Sequence, residues 1–360
     1  MKRFVIHGAG RVVSENAPSP VPQAGQVKLD FAFGGVCGSD LHYFQHGRVG
    51  DSVLRAPMVL GHEFSATVAM LGEGVEGLAP GDKVAVNPAL PCQRCDYWER
   101  GLSNLCTDVS FMGSAARFPH CDGGFSSELV VEARQCIKLP ADADLRHVAM
   151  AEPYAVALHA AKMAGDLRGA TVLVTGAGVI GQMCATAARA AGAERIFMSD
   201  ISPQALARAK ALGADDIFDE TLADLVDKPV CDVVFEASGA APALNLAISA
   251  IKPRGVLVQV GFLPPKSPVA LSKLLTREIS LVGTYRFIDE FDEAVRQIVS
   301  GEVDLRPMIS ADMSLEQPEE VFARALDKAE ALKVMVHFEC WKDCHMTLLR
   351  FEHAQRTSES

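Results

Sequence analysis

The stretch VLVTGAGVIGQ, residues 172–182, restricts the fold of this chain more than any other. An apolar run, Val172 to Val174, enters Gly176, Gly178 and Gly181 in the order G-x-G-x-x-G, and an alanine-rich helical segment follows at once. Gly176 permits a tight turn, Gly178 lets an anion approach the backbone, and Gly181 lets the helix pack closely on the strand with its N-terminus facing that anion. The segment RIFMSD then supplies a second strand that ends at Asp200, where a carboxylate would bond the ribose hydroxyls of an adenosine and repel a 2′-phosphate. The expected cofactor site is therefore Gly176, Gly178, Val179, Ile180, Gly181 and Asp200, with NAD favoured over NADP. Glycines serving packing alone are the plainer alternative, and Asp200 standing in place counts against it.

The surrounding texture agrees with a doubly wound sheet. From about Tyr154, helix-forming segments alternate with the short apolar runs TVLVTG, RIFMSD, CDVVFEAS, GVLVQVG and ISLVGTY, a pattern of βαβ units around a parallel sheet. The first 150 residues read differently. Short runs such as QVKLDFAF, SATVAML, DKVAVN and SSELVVE lie between glycine and proline turn signals and predict a mainly antiparallel β domain. After Arg286 come helical segments around EFDEAVRQIVSG and PEEVFARALDKAEA, then a closing strand LKVMVHF expected to return to the first domain. The expected division is 1–153, 154–286, a return over 287–338, and a loose tail over 339–360. Cys340, Cys344 and His345 in that tail are read as chance residues rather than a metal site.

At 360 residues and 49% hydrophobic content the chain can bury two cores, and its net charge of −11 disfavours nucleic acid and anionic membrane as partners. A small-molecule partner fits better. No apolar run reaches the roughly 18 residues needed to span a bilayer, and MKRFVIHGAG turns polar too soon for a secretory signal, so a cytosolic location is expected. In that reducing compartment, the ten cysteines are better explained as metal ligands and small buried hydrophobes than as disulfides.

GGVCGSDLHY and VLGHEFSATV contribute Cys37, Ser39, His42, His62 and Glu63, and AMAEPYAVALHAA contributes Glu152. A catalytic zinc needs a few N, S or O ligands from distant segments and one open position, which Cys37, His62 and Glu152 could furnish. A second cluster, PCQRCDYWERGLSNLC, carries Cys92, Cys95 and Cys106.

With GGVCGSDLHY, GHE, the cysteine lobe, EP and TGAGVIG in this order, the chain resembles the zinc-dependent medium-chain alcohol and polyol dehydrogenases over residues 1 to about 338. The resemblance implies a GroES-like β-rich catalytic domain, a Rossmann NAD-binding domain, and a homodimer or homotetramer. It implies Cys37, His62 and Glu152 as catalytic-zinc ligands, with Glu63 beside the metal. It also implies oxidation of a secondary hydroxyl in a sugar acid or a polyol, with zinc as Lewis acid, Ser39 accepting the proton and His42 passing it on. A non-catalytic nucleotide-binding protein on the same fold is the alternative of another class. Tyr43 and Phe111 are expected to pack on the substrate's carbon chain, and Arg286 to hold a carboxylate or hydroxyl pair through its guanidinium fork.

Two departures stand out. Ala66 replaces a glycine common in the family, with strain of order 1 kcal/mol expected if that backbone needs a positive φ. The family's lobe has four cysteines, and Trp98 stands at the third position here. Asp96, Glu99 or Cys121 could replace the missing ligand, or Trp98 could fill the gap as core. The expectation is a weakened or absent structural zinc.

Overall fold

Alternation in QVKLDFAF does what a half-buried strand requires: Val27, Leu29 and Phe31 are buried while Asp30 is exposed. In the computed structural model, which describes residues 1–219 and 223–339, this strand, Gln26–Gly35, is the hub of a seven-stranded sheet. It pairs antiparallel with Glu63–Leu71, Glu128–Glu132 and Lys333–His337, and the sheet continues through Lys83–Val86 to Cys136–Lys138. Ile309–Ser314 lies parallel to Lys333–His337 at the other edge. Phe4, Phe31, Phe125, Phe322 and Phe338 meet in the core beneath, at centroid separations of 5.7 to 6.1 Å. Such pairs each contribute about 0.5–1.5 kcal/mol beyond area burial, and two of these rings belong to the last described segment. That is why the chain's closing strand returns here.

A six-stranded, all-parallel sheet forms separately, in the order Asp216–Phe218, Arg195–Ser199, Thr171–Thr175, Cys231–Glu236, Ile251–Gln259 and Ser280–Gly283. The strand order reverses between Thr171–Thr175 and Cys231–Glu236, which creates the crevice where open α/β sheets bind ligands. Together these are the GroES-like β-rich unit and Rossmann sheet expected from the sequence.

By contact, one unit comprises Met1–Leu90, Ser110–Met150 and the chain from Ile309, and the other Pro91–Val109 with Ala151–Met308. Residues 287–308 thus go with the parallel sheet, whereas the sequence placed them in the return. Hydrogen bonds explain the difference: Tyr154 Oη donates to Gln297 Oε1 at 2.7 Å, and His159 Nδ1 lies 3.1 Å from Glu290 Oε1, tying helix Glu290–Ser300 to helix Ala151–Ala164. The cysteine lobe joins the same unit, where Asn104 Nδ2 donates to the Tyr285 carbonyl at 2.8 Å.

Ala66 is fully buried in strand Glu63–Leu71 and is not among the residues with positive φ, so the strain expected there does not arise. Cys340, Cys344 and His345 lie outside the described residues. Among the described residues no helix is long and apolar enough to cross a membrane.

Candidate metal centre and nucleotide site

In the first unit, helix Gly38–His46 begins at Cys37, whose N–H donates to Asp40 Oδ2 at 2.9 Å. That bond fixes the start of the helix and holds the Cys37 side chain at its N-terminal end. Strand Glu63–Leu71 begins one residue after His62. The ligand atoms of Cys37, His62 and Glu63 all lie within 4.8 Å of one another, and His62 and Glu63 are buried. One sulfur, one imidazole and one carboxylate converging in this way fit zinc's donor preferences. Glu152, the other expected ligand, is buried in the first turn of helix Ala151–Ala164 in the second unit.

Three residues around the first-unit cluster escaped the sequence reading or change it. Asp40 is buried beside His62, and its Oδ1 has no hydrogen-bond partner. Burial pushes its carboxyl up, against the pull of His62 and the N–H groups of Cys37 and Gly61. The signal lay within CGSDLH, where only Ser39 and His42 were singled out. Lys333 is the second: its ammonium is buried against Glu63 Oε2 and donates to the Val36 carbonyl at 3.1 Å. A lysine beside the apolar run VMVHF was the available signal, since lysine is almost never fully buried without a partner. Tyr43 is the correction. It is a core residue, and its hydroxyl accepts the Ala115 N–H at 2.9 Å, so packing on substrate is not the role this geometry favours.

Ser39 is half-buried in the first turn of the helix, and His42 is exposed one turn further on. Partial withdrawal from solvent holds the His42 imidazole below its ordinary value, and the like charges of His46 and Lys328 add to this. The Phe111 ring lies 5.7 Å from that of His62, which places an apolar wall beside the cluster.

In the second unit the glycine loop takes the predicted form. Gly176 has φ 91°, and a Cβ there would sit 2.7 Å from the Ser238 nitrogen; a Cβ on Gly181 would overlap the Gly176 carbonyl. Gly178 opens helix Val179–Ala190 with nothing within 4 Å of where its Cβ would stand, and Val179 and Ile180 form the first turn. Space over Gly178 with a helix N-terminus beneath it suits a pyrophosphate. Asp200 follows strand Arg195–Ser199, accepting the Ala177 N–H at 2.7 Å through Oδ2 and the Ser202 N–H at 2.8 Å through Oδ1. Each carboxylate oxygen keeps a lone pair for a ribose hydroxyl.

Glu236, also missed, ends strand Cys231–Glu236 with no solvent exposure. It accepts from Ser238 N at 2.9 Å, Gly239 N at 3.1 Å, Thr175 Oγ1 at 3.4 Å and Gln259 Nε2 at 2.5 Å, and from the Ser238 hydroxyl. It thereby ties three neighbouring strand ends together beside the glycine loop. A charged residue closing the apolar run DVVFE was the signal. Arg286 is half-buried at φ 52°, with its guanidinium carbon 5.0 Å from the Tyr285 ring centroid.

The lobe cysteines also converge: the sulfurs of Cys92, Cys95 and Cys106 lie within 4.8 Å of one another. N–H groups of Trp98 and Thr107 bring the Cys95 thiol down to about 6. Trp98 is 39% exposed, so it does not fill the gap as core. Asp96 and Glu99 are exposed and stand outside the sulfur group, and Cys121 belongs to the first unit, bridged to Ser114.

Residues 23–141 match the alcohol dehydrogenase GroES-like domain and residues 179–300 the zinc-binding dehydrogenase domain. L-idonate 5-dehydrogenase (NAD(P)(+)) of Escherichia coli K12 is 41% identical over 309 residues, covering 85% of this chain and 90% of that protein. Sorbitol dehydrogenase of Bos taurus is 36% identical over 344 residues, covering 92% and 95% respectively. The crystal structure of L-idonate 5-dehydrogenase from Escherichia coli K-12 aligns with a TM-score of 0.90 at 38% identity, over 94% of this chain and 98% of that one.

Proposed function

Because the chain belongs to the zinc-binding alcohol and polyol dehydrogenase family, we propose that it oxidises a secondary hydroxyl of a sugar acid, L-idonate to 5-dehydro-D-gluconate, with NAD as the acceptor. The observation that carries the substrate is the 41% identity to a dehydrogenase of that sugar acid. Family membership sets aside the non-catalytic reading.

Cys37 and His62 would hold the zinc, with Glu63 adjoining; Glu152 as the third ligand rests on the family motif alone. When bound, zinc supplies Lewis-acid activation of the substrate hydroxyl, and NAD supplies the hydride acceptor. The chain's own residues do the rest. Asp40, buried beside His62, interacts with that imidazole electrostatically and fixes the start of the Cys37 helix by accepting the Cys37 N–H. Ser39 Oγ accepts the substrate hydroxyl proton while giving up its own hydroxyl proton, and His42, exposed on the same helix, accepts the relayed proton and releases it to solvent. Phe111 excludes water beside His62. The guanidinium of Arg286 binds the sugar-acid carboxylate. Asp200 holds the adenosine ribose and disfavours a 2′-phosphate, so NAD is preferred.

Identity of 36% to a sorbitol dehydrogenase over a longer span favours a second reading, a polyol as substrate. NADH absorbance over a panel of aldonates and alditols decides between them: activity on alditols with none on any aldonate rejects the sugar-acid reading.

A cytosolic homodimer or homotetramer completes the proposal. Strand Ser280–Gly283 is a sheet edge with Leu281 exposed, and Leu271, Leu275 and Tyr285 are exposed nearby in the sequence. An open apolar edge of this kind is normally covered. Light scattering on Leu281→Lys against the wild type tests it; a monomeric wild-type chain rejects it.

A further inference from the structure

The family's lobe closes around zinc with four cysteines, and this chain supplies three. We propose that the lobe is an open thiolate site: Cys92, Cys95 and Cys106 bind one zinc ion through three sulfurs, and the fourth position stays with water or an exogenous thiol.

Convergence without the fourth cysteine is the first support. All three sulfurs lie within 4.8 Å of one another although Trp98, at the missing cysteine's position, is 39% exposed. The backbone is also bent to keep them there. Gln93, inside the C-x-x-C turn, sits at φ 59°, a left-handed conformation that costs a non-glycine residue of order 1 kcal/mol and persists where surrounding structure enforces it. The short helical turn Ser103–Leu105 delivers Cys106 from the other side, with Cys106 N–H donating to the Ser103 carbonyl at 3.2 Å.

Backbone donors then surround the sulfurs. Cys92 N–H points at Cys106 Sγ at 3.3 Å, Asp108 N–H also reaches Cys106, and the Trp98 and Thr107 N–H groups reach Cys95. Such donors occupy the thiolate lone pairs that a metal leaves unused, and they fix the directions of those that remain.

Asp96, Glu99 and Asp108, the nearest carboxylates in sequence, are exposed and outside the group. Structural zinc takes four protein ligands, whereas a site with three keeps an exchangeable position. Three thiolates select soft or borderline ions, zinc among them, and a soft fourth ligand.

The test loads the full chain with Co²⁺ alone and then adds 2-mercaptoethanol. Sulfur-to-cobalt charge transfer rises further on adding the thiol to the wild-type chain. The lobe's share of that rise is lost in Cys106→Ser, which dismantles the site, and in Trp98→Cys, which closes it. Zinc content is about two per chain in the wild type and about one in Cys106→Ser. Chelator-driven release from the lobe slows in Trp98→Cys by at least the roughly tenfold that one outer-shell partner is worth. A zinc content that does not fall in Cys106→Ser overturns the proposal, as does a thiol response that survives intact in that variant. A wild-type chain holding two metals whose cobalt spectrum ignores the thiol overturns it equally, because a protein group would then close the site.

Discussion

Lys333 and Glu63 form an ion pair with each side chain only 1% exposed, and Glu63 is at the same time a member of the cluster with Cys37 and His62. Gly35 makes the pair possible, since a Cβ on it would overlap the Glu63 carboxylate and lie 2.5 Å from Lys333 Cε. Removing one partner of such a pair leaves a buried uncompensated charge and costs about 3–5 kcal/mol, while replacing both is far milder. Lys333→Met should therefore lower the unfolding midpoint sharply, and Lys333→Met with Glu63→Gln should recover much of the loss. A double-mutant cycle that shows no coupling would remove the pair from the account.

His42 carries a prediction about pH. Its imidazole is held below the ordinary value, so the proton-accepting neutral form persists to lower pH than in a free histidine. The acid limb of kcat/KM should thus fall below about pH 6.5. His42→Gln should lower kcat/KM and abolish that limb. An acid limb unchanged in the variant would assign it to another group.

Cofactor choice rests on Asp200. Asp200→Ser removes the charge that repels a 2′-phosphate and should raise the NADP-to-NAD ratio of kcat/KM by roughly tenfold or more. Use of both cofactors should weaken in absolute terms, because the carboxylate also holds the Ala177 and Ser202 N–H groups. A ratio that does not move would place discrimination elsewhere.

Glu236→Gln puts an amide among donors that now share a buried carboxylate, so at least one donor loses its acceptor at a cost of about 1–3 kcal/mol. Loosening the loop at Ser238 and Gly239 beside Gly176 should raise the NADH dissociation constant roughly tenfold, read by fluorescence titration. Unaltered NADH binding in the folded variant would reduce Glu236 to a packing role.

Glu290 bears on acid stability. Burial alone would raise its carboxyl, but contacts from His159, Lys162 and the Ile288 N–H more than reverse this, and it lies below the ordinary range. A carboxyl lowered by folding contributes stability that is full above its unfolded value of about 4.3 and is lost as pH falls through the folded one. Glu290→Gln should cost about 3 kcal/mol near neutrality, and the gap from the wild type should narrow below about pH 4. Denaturant unfolding at both pH values measures it.

What was legible in the sequence was whatever local geometry enforces. G-x-G-x-x-G after an apolar strand has one comfortable conformation, because Gly176 must have positive φ and Gly181 must touch the Gly176 carbonyl. Period-two burial in QVKLDFAF and the closing strand LKVMVHF followed from the same kind of rule. Cys37, His62 and Glu63 were legible as types at family spacings.

Relations between distant segments belonged to the tertiary structure. Lys333 reaches Glu63 only because the last described strand pairs with Gln26–Gly35, which also pairs with Glu63–Leu71. Glu236 gathers donors from three strand ends that adjacent register brings level. Tyr43, read as a substrate contact, became core because Ala115 supplies a donor from 72 residues away. Side-chain chemistry and short-range sterics are written residue by residue, so the chain alone determined its folds, its nucleotide loop and its donor types. Which buried charge meets which partner depends on strand order and register, and those are set only when the whole sheet closes.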